Sequence, residues 1–306
     1  MKIRVRRLSF GGVRVLFKTY TPDAGKLSHR VAFVTSPLGD VDSWDALCRI
    51  MAGMGCLCVS IELPGYGHSA QAAPQDNKTR AQILWGVLDE VEISRGEEAC
   101  RWHLISHGSA CGAVLEMTRQ EPKSVISRVL ITPVTRGFGF TQKPQRLSSP
   151  RAWVYRQLYA WFTGREARFA AKLKKLYGGD LDQTRVNALY KQALGQGRME
   201  NLMEHQVRGY YISKAAFKTK APVMILWGRD DPMGALYSPL INCLLHPDEC
   251  YDRPNDTEPT RAECRRLDVE PHNMKFRRHM PMETDPKDVS ERLSGWLDYA
   301  ASRNKG

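Results

Sequence analysis

His103-Leu104-Ile105-Ser106-His107-Gly108-Ser109-Ala110 decides how this chain folds. Residues 102–105 form a short, β-rich run that is apolar but for His103, the pattern of a strand buried on both faces. Small residues follow at once, and residues 112–120 take up a helical pattern. A strand that passes into a helix through so few residues makes a crowded corner, and only small side chains fit beside its tip.

The same alternation runs outward in both directions. Apolar, β-rich runs recur at 31–34, 57–61, 129–131 and 223–227, with a weaker one at 274–276. Helical patterns lie at 44–54 and 79–93, and a closing one at 286–300. Such an order predicts an α/β fold with a doubly wound, mostly parallel sheet. At the beginning, residues 2–8 and 13–19 alternate polar and apolar around Phe10-Gly11-Gly12, which reads as an antiparallel hairpin at a sheet edge. From 138 to 218 the alternation stops and the pattern is helical throughout. That stretch is expected as an inserted all-helical cap, with the core divided into 1–137 and 219–306. The polar, Pro-rich stretch 246–271 is expected as a smaller surface insertion within the core.

Five strings along this framework, in this order, resemble the α/β-hydrolase superfamily. After its third strand that family carries a His-Gly-x-x-Gly loop with an aromatic several residues on. Here the loop is Thr35-Ser36-Pro37-Leu38-Gly39, with Trp44 at the matching offset. After the fourth strand, Glu62-Leu63-Pro64-Gly65-Tyr66-Gly67-His68-Ser69 looks like the family's Asp-Leu-Pro-Gly-aromatic-Gly-x-Ser. Ser106-His107-Gly108-Ser109-Ala110 occupies the place of the nucleophile elbow. Trp227-Gly228-Arg229-Asp230-Asp231-Pro232 is similar to the loop carrying the catalytic acid, and His279-Met280-Pro281-Met282-Glu283 to the loop carrying the catalytic histidine. The resemblance covers nearly the whole chain apart from the cap and the second insertion. It implies the fold of serine esterases and lipases, with Asp231 as the acid and His279 as the histidine.

The match fails where the chemistry starts. The family's elbow needs a Ser, Cys or Asp at its tip, with small residues two before and two after. Aligned without a gap, the tip is Gly108, flanked by Ser106 and Ala110, with His107 where the family often has His. Glycine has no side chain to attack anything. Sliding by one residue makes Ser109 the nucleophile and improves the match of Gly112-Ala113-Val114 to the following helix. The slide also puts His107 and Cys111 at the crowded positions, where an imidazole clashes with the turn. The gap-free alignment is therefore preferred.

The oxyanion hole is affected too. It uses the backbone N–H after the nucleophile and a second N–H from the loop after the third strand. That second donor falls on Pro37, which has no N–H. Losing one such donor typically costs about 10²–10³ in rate. Asp231 and His279 remain, either as a pair able to run an acid–base step or as a buried hydrogen bond that ties two loops.

Three functions stay open. The leading one is a pseudo-hydrolase, with the fold kept and catalysis lost, acting as a binding or assembly subunit. The second is a serine ester hydrolase using Ser109, His279 and Asp231. The third is a small-ligand receptor that uses the old pocket without cleaving. No cofactor is expected. Cys243, His246, Cys250, Cys264 and His272 share one polar stretch, but no tight Cys-x-x-Cys pair is present, so no metal site is expected.

The formal net charge of +12 favours anionic partners. It is concentrated in the hairpin region, with Lys2, Arg4, Arg6, Arg7, Arg14, Lys18, Lys26 and Arg30 against Asp23 alone. The start of the cap is the second concentration. There Arg165, Arg168, Lys172 and Lys175 share one helix face, opposite Phe169, Ala170, Leu173, Leu176 and Tyr177. Residues 153–162 interleave rings with charge. Solvated cap charge is one reading; a surface for RNA, a ribonucleoprotein or an acidic protein is another, and an interfacial membrane helix a third. No apolar run reaches the roughly 18–20 residues of a membrane span. No apolar core follows the basic start, so no signal peptide is expected, while processing of an organellar precursor stays open. The scattered cysteines, several inside apolar runs, point to free thiols in a reducing compartment, the cytoplasm or an organelle interior such as that of mitochondria.

Overall fold

A computed structural model describes residues 1–23, 25, 27–37, 39–69, 72–73, 75–133, 153–154, 157, 166–177, 181–194, 212, 214–228, 231, 269–274 and 278–303. Strand β1 (Lys2–Phe10) and strand β2 (Val13–Thr21) pair antiparallel from Lys2 opposite Thr21 to Phe10 opposite Val13. Gly11 and Gly12 make the two-residue turn with φ of +54° and +83°. Both turn residues lie in the left-handed region, whose twist matches that of the strands it joins.

The sheet continues with β3 (Arg30–Val34), β4 (Leu57–Ile61), β5 (Trp102–His107), β6 (Val125–Ile131), β7 (Val223–Gly228) and β8 (Val269–Met274). Its order is β1-β2-β4-β3-β5-β6-β7-β8. Strands β3 to β8 run parallel to one another, and β2 joins β4 antiparallel. Every residue of β4 and β5 is buried, as strands covered on both faces require.

Helices cover both faces. Helix α1 (Asp45–Gly53) and the closing helix α8 (Pro286–Arg303) lie on one side, where Leu47, Met51, Leu293 and Leu297 join Phe33 and Ile105 in a core. On the other side, α2 (Asn77–Ile93) and α3 (Cys111–Gln120) bring Leu84, Leu88, Val114 and Met117 against Val59 and Leu104. Between β6 and β7 the described residues form α4 (Glu166–Tyr177), α5 (Gln183–Leu194) and the short α6 (Lys214–Phe217). The short α7 (Pro281–Thr284) precedes α8. The chain is thus an α/β protein with a mostly parallel, doubly covered sheet.

Strand β8 starts earlier than expected, so Val269, Glu270 and Pro271 belong to the sheet rather than to the surface insertion. Its sequence has little intrinsic strand character. Pairing with β7, from Val223 opposite Val269 to Gly228 opposite Met274, imposes the extended form. Pro271 is tolerated because β8 is the last strand of the sheet among the described residues. Residues 246–268 of that insertion and most of 138–165 lie outside the described residues. No helix among the described residues is long and apolar enough to cross a membrane.

The strand order creates the site. The chain leaves β3 for β4 on one side and returns to β5 on the other, so the carboxyl ends of β3 and β5 meet where the order reverses. In open α/β sheets that crevice is where ligands bind.

Candidate functional site

Val34 pairs with Ser106, so the residues two further on, Ser36 and Gly108, emerge side by side. After β5 the chain makes a 3-10 turn over Gly108–Ala110 and enters α3. Gly108 has φ +55°, while neither Ser109 nor any other non-Gly residue of the turn has a positive φ. The strained corner is therefore at Gly108. Ser106 and Ala110 flank it, both fully buried.

The loop after β3 is held from two sides. Thr35 donates its hydroxyl to the Ile61 carbonyl (3.2 Å) and accepts from the Leu63 N–H (3.2 Å), which ties it to the loop after β4. The Gly39 N–H closes a turn onto the Ser36 carbonyl (3.0 Å). A Cβ on Gly39 would meet Ser43 Oγ at 2.7 Å, which explains glycine there. Pro37 sits in this turn.

His279 is fixed on every side but one. Its Nδ1 lies 2.9 Å from Asp231 Oδ2, and the Asp231 side chain is fully shielded from solvent. Its backbone N–H donates to the Leu176 carbonyl of α4 (3.0 Å). Its carbonyl accepts from Thr132 Oγ1 (3.0 Å) and lies 2.8 Å from His107 Nε2. Burial and the neighbouring His279 push the His107 pKa down to about 3, so the ring is neutral and its Nε2–H is the donor. Among the described residues Nε2 has no hydrogen-bond partner, and it looks toward Gly108. A Cβ built on Gly108 would stand 3.9 Å from His279 Nε2. A hydroxyl on that carbon would reach the imidazole, as an elbow nucleophile must.

That space is tight on one side. The same Cβ would stand 3.2 Å from Ser36 Cβ and 3.8 Å from Ser36 Oγ. Ser36 is buried, and its hydroxyl has no hydrogen-bond partner among the described residues. Where the family pattern has the Gly of His-Gly-x-x-Gly, this chain puts a side chain against the elbow. The substitution is visible in the sequence, but its consequence needs the distance between two loops. Ser109 is partly exposed, and among the described residues no hydrogen bond joins it to His279.

Cap helices lock the loops that carry the site. The Arg185 guanidinium on α5 forks onto Asp40, with both bonds at 2.8 Å, and also donates to Ser43 Oγ (2.9 Å) and to Glu283 (3.1 and 3.2 Å). Tyr177 on α4 donates to Glu283 Oε1 at 2.7 Å. Burial works against the Asp40 charge, but the Arg185 hydrogen bonds and charge outweigh it and hold the carboxyl below its ordinary value. The loops after β3 and β8 are thereby clamped by one cation from the cap. Nothing in the local sequence pattern marked Arg185.

The basic residues divide into two groups. Arg6 pairs with Glu90 (2.7 Å), Arg30 with Glu97 (3.2 Å), and Lys18 with Asp42. The hairpin that looks unbalanced in sequence thus borrows acids from α2, the loop after β3 and the stretch before β5. Lys2, Arg4, Arg7 and Arg14 are exposed and have no ion-pair partner among the described residues. On α4, Phe169, Leu173, Leu176 and Tyr177 are buried while Lys172, Lys174 and Lys175 are exposed. Arg168 is partly buried there, and Arg165 lies outside the described residues. Cys243, His246, Cys250 and Cys264 also lie outside them; His272 is on β8. Among the described residues, no cluster of three or more His, Cys, Asp or Glu is arranged to hold a metal ion.

No protein-family model matches the chain, and no curated protein matches it in sequence. Solved structures do resemble it. A membrane phospholipase A, described as a bacterial virulence factor, superposes with a TM-score of 0.68 at 18% identity, covering 99% of this chain and 87% of that one. An epoxide hydrolase gives 0.71 at 12% identity, covering 97% and 99%. A haloalkane dehalogenase from Bradyrhizobium elkani gives 0.68 at 14% identity, covering 99% and 100%. The chain has the α/β-hydrolase fold. At these identities the likeness concerns fold alone.

Proposed function

We propose that this α/β-hydrolase-fold chain is non-catalytic and serves as a binding or assembly subunit. One observation carries the reading: Nε2 of a buried Asp231–His279 pair faces Gly108, where no side chain exists to be activated. Ser36 packed against that point and Pro37 in the oxyanion loop support it, because each removes a different requirement of acyl transfer. The retained pair then acts as a structural tie that holds the last two loops of the sheet. The basic surfaces of the hairpin and α4 are what such a subunit offers to an anionic partner.

The ester-hydrolase alternative assigns the attack to Ser109, which needs that hydroxyl beside His279. The discriminating experiment is labelling with a fluorophosphonate probe, which reacts with an activated serine, alongside hydrolysis of short-chain aryl esters. We expect neither. Stoichiometric labelling at Ser109, abolished by Ser109→Ala, would overturn the reading.

A further inference from the structure

Among the described residues strand β1 ends the sheet, and nine residues of it pair with β2 in unbroken register. An edge of that length exposes a row of backbone donors and acceptors, and proteins usually blunt such edges with bulges, prolines or charge. No bulge or proline interrupts β1. Charge is the device used here. Lys2, Arg4 and Arg7 on β1 and Arg14 on β2 are exposed, and so is Val5 at 57% in the middle of the strand. None of these four cations has an ion-pair partner among the described residues, although Arg6, Lys18 and Arg30 nearby all do.

This pattern selects among occupants. A second copy of the chain added at β1 would set like charges against like, which opposes pairing. A nucleic acid would be met by the cations but would leave the backbone edge and Val5 unused. An extended peptide with acidic side chains satisfies all three features. Its backbone continues the sheet, its carboxylates meet Lys2 and Arg4 on one face, and its apolar residues cover Val5 on the other. The alternation of faces follows from the period of two along a strand.

We propose that the outer edge of β1 takes up an acidic, extended segment of a partner protein as an added strand. This names the partner for the binding-subunit reading and rests on it only for its biological role. β-Augmentation draws affinity from main-chain hydrogen bonds and selectivity from alternating side chains.

The test uses the full chain and fluorescence anisotropy of a labelled nine-residue peptide alternating Glu and Val. Binding is expected, weaker at higher salt. It should be lost when alternate peptide amides are N-methylated in one of the two possible phases, because only one phase faces β1. The double variant Lys2→Glu/Arg4→Glu should weaken it roughly 10-fold, the effect of two exposed charge pairs, with the thermal midpoint unchanged. Absence of binding, equal binding by both N-methylated peptides, or tighter binding of a single-stranded RNA would each overturn the proposal. None of these outcomes alters fluorophosphonate reactivity, so the proposal can fail while the non-catalytic reading stands, and the reverse.

Discussion

Ser36 and Gly108 stand so close that any side chain on Gly108 would begin 3.2 Å from Ser36 Cβ. A side chain at the elbow is therefore coupled to the position of the loop after β3. A carbon-to-carbon approach that short forces a neighbour to give way by a few tenths of an ångström.

Restoring the nucleophile should accordingly need both residues. Gly108→Ser alone is expected to label slowly with a fluorophosphonate. Adding Ser36→Gly should accelerate labelling at least 10-fold, about 1.4 kcal/mol in the barrier. Adding Pro37→Gly returns a backbone donor that typically contributes about 10²–10³ in rate. Equal rates for the single and double variants would show that Ser36 does not obstruct the elbow.

Ser36→Ala should be neutral or stabilising by up to about 1 kcal/mol. The hydroxyl is buried with no partner among the described residues, so its removal deletes a desolvation cost. Urea unfolding measures this. A loss above 1 kcal/mol would mean that the hydroxyl is engaged.

Arg185→Met should detach the cap from the core loops. Removing one member of a shielded ion pair leaves Asp40 and Glu283 uncompensated, which costs about 2–4 kcal/mol for a group that keeps some solvent contact. Limited proteolysis should then cut the cap faster while the sheet stays protected. An unchanged cleavage rate would refute the clamp.

Stability should fall between about pH 6.5 and pH 3. Burial holds His103, which hydrogen-bonds Ser127 (2.8 Å) and His29 (3.2 Å), at a pKa of about 3, and His107 is depressed similarly. In that window the unfolded chain binds more protons than the folded one, so acid favours unfolding. Each ring should cost roughly 2 kcal/mol by pH 5 relative to its value above pH 7. Thermal midpoints across pH should show this, with a shallower slope in His103→Gln. A profile that is flat from pH 7 to pH 5 would contradict the burial argument.

The sheet, its helices and the position of the elbow were legible because they depend on local rules. Apolar runs mark strands, a period of 3.6 marks helices, and a strand-to-helix corner demands small residues. Gly108 and Pro37 are readable for the same reason, since each lacks a chemical group that no environment can supply. Strand β8 was misplaced because neighbouring β7, rather than its own composition, makes Val269–Met274 a strand.

The contacts that define the site obey no such rule. Ser36 meets Gly108 across 72 positions because β3 and β5 are neighbours in the sheet, and Arg185 finds Asp40 across 145. Arg6 and Arg30 look unbalanced among basic neighbours, yet Glu90 and Glu97 reach them through the fold. Sequence determines which groups exist and how the chain is extended or coiled. Which groups share a few ångströms is decided only when the layers pack, because proximity there comes from strand order rather than from spacing along the chain.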